Sequence, residues 1–332
     1  MTQKVKDLLS FALRAIISGG LLWWIFSMVN WPDTIAALRE ADLKLIVAAF
    51  VIHALIHLVL LWRWQLFMDA LSFRAPFGQV CRYFFIGLFC NLFLPTSIGG
   101  DLIKAYGLAR NAGQKPKVYA SVVLDRLSGF GGLVVVALVG YVLGSTIIDA
   151  PSVIVPIALL TGLSLVVGFM LFHEPTYTFF CGIFRPFPRL HKALMDMHMD
   201  VVLMKGRKRT ALGCLLVSCV TQAVAGYMYY LIAVALHQEA HLLHFMIFAP
   251  IVCAVSFLPS IGGLGFREFG WAYLLDKVGV SQGIAVGLSL IGFLFVIIVG
   301  VFGGILYVTT ISHRRVQCDP SKDISGEGDP RG

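Results

Sequence analysis

Residues 93–100 read FLPTSIGG and residues 257–263 read FLPSIGG, each inside a strongly apolar stretch. The prolines Pro95 and Pro259 stand 164 residues apart in a chain of 332, so the phrase recurs after half the length. Lipid cannot hydrogen-bond a broken backbone. A Pro-Gly-Gly break at membrane depth therefore persists only where protein or a polar cavity satisfies the freed groups. A matched pair of such breaks in two halves of a chain points to a transporter-like binding site beside them.

The surroundings of the two phrases are membrane-like. Hydrophobic residues make up 58% of the chain, charged residues 13%, and the mean hydropathy is +0.84. Soluble domains run at about 45–50% apolar and about 25% charged, so the composition is that of an integral membrane protein. The net charge of +8 is not a nucleic-acid footprint, because the basic residues fall in short blocks between apolar runs, as in cytoplasmic loops. Seven scattered cysteines, none in a C-x-x-C pair, read as packing residues and indicate neither a disulfide framework nor a zinc site. Lys4 and Lys6 precede an apolar stretch that runs past Arg14 to Val29 without a small-residue cleavage site, which reads as a retained first span.

Apolar segments lie at 8–29, 43–67, 80–94, 118–145, 151–172, 211–236, 242–258 and 284–310. Those at 80–94 and 242–258 are short and run directly into the breaks. If all eight crossed, the two most basic stretches, 104–117 and 173–210, would lie outside, against the positive-inside rule. If 80–105 and 242–270 instead dip in and return, six spans remain and both basic stretches face the cytoplasm. The 164-residue offset then pairs 43–67 with 211–236 and 118–145 with 284–310 in opposite directions. That is an inverted repeat, an architecture associated with alternating access. The stretch 173–210 reads either as a solvated loop or as an amphipathic segment on the inner leaflet. The tail from 313 to 332 is expected to be disordered.

Ionisable residues at membrane depth are costly and mark function. Gly99, Gly100, Asp101 and Lys104 follow the first break; Gly262, Gly263, Gly265, Arg267 and Glu268 follow the second. Glycines permit positive φ and close backbone approach. A half-helix starting after each break directs free N–H groups and a positive dipole end at a cavity, an anion site that Arg267 would reinforce with Asp101 or Glu268 as counter-ion. The plainer alternative is that these charges neutralise one another and pin the loops. Asp125 and Arg126 are adjacent on a helix, about 100° apart, so each needs another partner. Arg126 either shares a cavity with Arg267 or snorkels to the surface.

His53 and His57, spaced i, i+4, have the geometry of a metal or proton site, yet lack a third ligand, which favours packing. Trp62-Arg63-Trp64 reads as an interfacial anchor. Tyr227, Tyr229 and Tyr230 line a cavity or fill it, and Gly283/Gly287 with Gly300/Gly304 mark close helix packing. A phosphate loop, a G-x-S-x-G elbow and an H-E-x-x-H pair are all missing from the sequence, so no enzyme, cofactor or metal is indicated.

The motifs NLFLPTSIGGDLIKAYGLAR, SVVLDRLSG and FLPSIGGLGFREFG, in that order, resemble the lysylphosphatidylglycerol-synthase transmembrane (flippase-like domain) family over most of the membrane portion. In full-length synthases of that family the membrane domain precedes an aminoacyl-transferase and is taken to move its product across the bilayer. This chain ends shortly after its last span, so the resemblance implies a stand-alone member that moves lipid and does not synthesise it. It also implies an anionic phospholipid, glycolipid or isoprenoid lipid as substrate, and puts Pro95, Gly99, Gly100, Asp101, Asp125, Arg126, Pro259, Gly262, Gly263, Gly265, Arg267 and Glu268 at motif positions.

The resulting expectation is an all-α polytopic bundle with an inverted repeat and two re-entrant half-helix breaks. A flippase-like domain would occupy 1–312, with halves at about 43–145 and 211–310. It would sit in the cytoplasmic membrane with both termini inside and carry an anionic or amphiphilic headgroup across. The rival is a scaffold subunit for a lipid synthase or glycosyltransferase.

Overall fold

The computed structural model describes residues 23, 27, 31–94, 99–110, 115–144, 151–184, 188–258 and 263–317. The first apolar segment at 8–29, together with Pro95, Pro259 and Gly262, therefore lies almost wholly outside the described residues. Among the described residues there are helices and no strand. In chain order they are α1 (Trp31–Glu40), α2 (Leu43–Ala70), α3 (Phe77–Phe93), α4 (Gly99–Ala109), α5 (Lys115–Gly144) and α6 (Pro151–Phe172). Then come α7 (Glu174–Cys181), α8 (Pro188–Leu203), α9 (Lys208–Ala235), α10 (Leu242–Val255), α11 (Phe266–Asp276) and α12 (Gln282–Gln317).

Five helices are long and apolar enough to cross a bilayer: α2, α5, α6 (from Val153), α9 and α12. They coincide with five of the six spans that charge counting selects. Helices α3 and α10, of 17 and 14 residues, reach about 26 and about 21 Å at 1.5 Å per residue, short of the roughly 30 Å hydrocarbon core. Each is followed across its break by an 11-residue helix, α4 or α11. The order long, short, 11-residue, long thus occurs twice, as α2–α3–α4–α5 and α9–α10–α11–α12.

The packing follows the same order. Helices α2 and α9 lie against each other, α3 rests on α12, and α10 rests on α5, so each short helix packs on the last helix of the other half. Small residues make these crossings possible. A Cβ on Gly303 would stand 2.0 Å from the Phe85 carbonyl of α3, and one on Gly140 would stand 2.9 Å from Ile247 of α10. The Gly300/Gly304 pair does mark close packing, against Leu92 and Phe89 of α3, whereas Gly287 faces Thr34 and Leu38 of α1.

Helix α2 shows how an all-apolar sequence is sorted. Asp42 caps it by accepting from the Lys44 N–H at 2.8 Å. Leu43, Val47, Val51, Leu55, Leu58 and Trp62 form an exposed apolar stripe at helical spacing, as a lipid-facing side requires. Ala49, His53, Leu61, Arg63, Trp64 and Phe67 are buried.

The stretch 173–210 is not a solvated loop. Its described residues form α7 and α8 with short 3-10 turns, and α8 packs on α5, with buried Val201 in one cluster with Ala120 and Leu124. Tyr177 of α7 stacks on His198 at 4.0 Å and donates to the Leu194 carbonyl. Helix α1 was not anticipated, and α12 continues through residues 313–317.

Candidate functional site

Asp42 aside, the acidic residues with the most consequence sit where a helix begins after a break. Asp101 lies in the first turn of α4 and Glu268 in the first turn of α11, where the helix dipole favours a negative charge. The chain therefore supplies its own anions to the two N-termini that were expected to await one. Asn91 of α3 also accepts from the Gly100 N–H at 2.9 Å, and Glu268 Oε2 accepts from the Gly265 N–H at 2.7 Å.

Around the first break the pairs form a chain across three helices. Arg63 Nε of α2 donates to Asp125 Oδ1 of α5 at 2.8 Å, with its Nη1 on Ser218 Oγ of α9 at 2.7 Å and Nη2 on the Asp125 carbonyl at 3.1 Å. Lys104 of α4 lies 3.1 Å from Asp101 and 4.0 Å from Asp125, its ammonium 4.7 Å from the Trp64 ring. Arg126 closes the chain on Asp101 Oδ2 and stacks its guanidinium 5.5 Å from Phe257. Asp125 and Arg126 thus each find a different partner, as their adjacency demanded. Arg126 does not snorkel. Three cations meet two carboxylates, leaving one positive charge in excess, and all these side chains are buried except that of Arg126, which is a third exposed.

Around the second break the arrangement is local. Arg267 Nη2 donates to Glu268 Oε1 at 2.8 Å, and Ser289 of α12 joins the same carboxylate oxygen at 3.1 Å. Arg267 also stacks 4.5 Å from Phe293. Glu268 is fully buried, and the pair carries no net charge. Gly263 and Gly265 hold φ of +79° and +90°, values that exclude most side chains.

Two cavities adjoin these clusters. The larger, about 710 Å³, is lined by the charged residues Asp101, Lys115 and Arg126 and mostly by apolar side chains such as Leu102, Phe130, Leu171 and Phe257. Leu194 and Met197 of α8 contribute to its wall. The smaller, about 250 Å³, is lined by Arg267 with His53, His57, Gln222, Tyr229 and Cys253 among others. Arg126 and Arg267 consequently line different cavities. Of the three tyrosines only Tyr229 lines the smaller cavity; Tyr230 packs near Phe245 and Tyr227 is largely exposed.

The Trp62-Arg63-Trp64 anchor needs correcting. Trp62 is exposed, but Arg63 and Trp64 are buried, and Trp64 Nε1 donates to Ser121 Oγ at 3.1 Å. The helix runs to Ala70, seven residues beyond Arg63, so about 10 Å of helix separates that guanidinium from the end. Ending the span at 67 hid this. Asn91, Ser218 and Ser289 were equally unforeseen, because a lone polar residue in an apolar run does not announce its partner.

Two comparisons bear on this arrangement. The model of the family described as lysylphosphatidylglycerol synthase TM region matches residues 11–304. A UPF0104 membrane protein of Pyrococcus horikoshii is 24% identical over 295 residues, covering 82% of this chain and 87% of that protein.

Proposed function

This chain belongs to the lysylphosphatidylglycerol synthase transmembrane family, and we propose that it moves a lipid headgroup across the cytoplasmic membrane, without carrying out synthesis. One observation carries the reading: the larger cavity combines charged groups, Asp101, Arg126 and Lys115, with a predominantly apolar wall of lipid-like character. An amphiphile matches that polarity, with its head on Arg126 and its chains along Phe130, Leu171 and Phe257. The single excess positive charge of the first cluster favours an anionic head.

In this reading α3–α4 and α10–α11 dip into the bilayer and return. The basic stretches 104–117 and 173–210 face the cytoplasm, and the two halves run in opposite directions. The larger cavity then serves one leaflet and the second break the other. The barrier being lowered is desolvation, since a charge at the bilayer centre costs about 2.5–3.5 kcal/mol even on insertion scales. Fixed partners that replace water lower it.

The test is translocation of headgroup-labelled lipids by the purified full chain in liposomes, with Asp101→Asn and Arg126→Gln as variants. Protein-dependent crossing that prefers anionic heads and falls to the protein-free rate in Arg126→Gln supports the proposal. Lipid binding without crossing would instead favour a scaffold for a partner synthase or glycosyltransferase.

A further inference from the structure

His53 is buried and His57 half-buried within the membrane-spanning length of α2, and the headgroup reading leaves them unused. Their rings stand 4.6 Å apart. His57 Nδ1 lies 2.9 Å from the His53 carbonyl, and because a carbonyl only accepts, Nδ1 carries the hydrogen. In the neutral ring Nε2 is then the basic atom. His53 is nine-tenths buried, and its Nε2 has no hydrogen-bonding partner among the described residues. Both rings line the 250 Å³ cavity together with Arg267. That volume far exceeds the roughly 10–15 Å³ needed for one water.

The titratable groups facing the pair come from α9, α10 and α11. Helix α9 presents Tyr229 and α10 presents Cys253, which also feels the charge of Arg126 on α5. Helix α11 presents Arg267, whose Nε and Nη2 are engaged with Glu268 and Ser289 while Nη1 forms no hydrogen bond with the described residues. Helix α12 offers only the Phe295 ring against His53. With neutral imidazoles the Arg267–Glu268 pair leaves the cavity uncharged. An anion entering alone makes it negative, and a proton entering alone makes it positive beside Arg267. Both at once restore neutrality, so in a low-dielectric enclosure each favours the other.

We propose that this cavity is a proton-linked oxyanion site, separate from the Asp101–Arg126 cavity, in which a phosphodiester-class monoanion on Arg267 binds together with one proton taken up by the His53–His57 pair. This goes beyond lipid movement, since it names a second site and a co-ligand. No bond is made or broken; the proton comes from solvent and returns to it.

The experiment uses the full chain in zwitterionic phosphatidylcholine nanodiscs with dimethyl phosphate, a monoanion throughout the range, titrated calorimetrically. Affinity is expected to rise about tenfold from roughly pH 7.5 to roughly pH 5.5. Buffers of different ionisation enthalpy should report an uptake that averages about half a proton per anion over this range and rises towards one at the acid end. His57→Gln should flatten the pH dependence while leaving the unfolding midpoint unchanged, and Arg267→Lys should weaken binding at both pH values. Repeating the titration in phosphatidylglycerol nanodiscs identifies the source. Competition assigns the cavity to lipid headgroups, full affinity assigns it to soluble oxyanions, and either keeps the site. Binding that ignores pH, keeps its pH slope in His57→Gln, or is absent from the folded wild type overturns the proposal. Because the readout is binding, failed translocation with intact proton-linked binding would strike the transport reading alone.

Discussion

At the first break the charges belong to several helices, while at the second they belong almost entirely to one. Arg63, Lys104, Asp101, Asp125 and Arg126 join α2, α4 and α5, and Ser218 adds α9. Arg267 and Glu268 are neighbours in the first turn of α11, and among the described residues their side-chain partners from another helix, Ser289 and Phe293, both belong to α12. The glycines differ in the same way. Gly100 is needed for close approach, since a Cβ there would stand 2.1 Å from the Gly87 carbonyl and 2.5 Å from Asn91 Oδ1. Gly263 and Gly265 are needed for positive φ. Among the described residues the glycines after the two breaks therefore serve differently, one set by packing between elements and one by local backbone conformation. The first ties helices together; the second shapes a turn and leaves a cation at a cavity.

The strongest way to break that comparison is to remove a member of the extended chain. Arg63→Ala leaves Asp125 buried with only Lys104 at 4.0 Å, and is expected to destabilise the protein by about 3–5 kcal/mol in reversible unfolding. A loss below about 1 kcal/mol would show that the first cluster does not tie its helices.

Next in size is a double-mutant cycle on the local pair. Glu268→Gln and Arg267→Gln should each be severe, because each strands a buried charge. The double variant should be milder than either single one, with a coupling of about 0.5–3 kcal/mol. The matching cycle at Asp101 and Arg126 should recover less, since Lys104 would lose its 3.1 Å partner there. Equal recovery at both breaks would erase the distinction.

The smallest effects come from the glycines. Gly100→Ala forces atoms apart at an α3–α4 crossing, for an expected loss of about 1–3 kcal/mol. Gly265→Ala places a side chain at φ +90°, for about 1–2 kcal/mol. A compensating truncation, Asn91→Ala, should rescue part of the loss in Gly100→Ala and none of that in Gly265→Ala. Thermal unfolding of the single and double variants reads this directly.

The sequence by itself determined the membrane class, the positions of five spanning helices and the two short helices at the breaks. Those follow from additive local quantities: apolar run length, charge content and the helix-breaking character of Pro and Gly. It also required Asp125 and Arg126 to seek separate partners, because helical geometry alone forbids their meeting. Only the tertiary structure decided which partners they found. Arg63 looked like the edge of a span until α2 continued to Ala70 and turned it inward, one position past the lipid-facing Trp62. The helical character of 173–210 and its packing against α5 were likewise hidden, since a stretch of mixed charge and apolarity acquires a buried face only when another helix covers it. That Arg126 and Arg267 line different cavities was also visible only in the fold. Pairing and enclosure are non-local properties, set by which helices meet, and a single strand of residue types does not contain them.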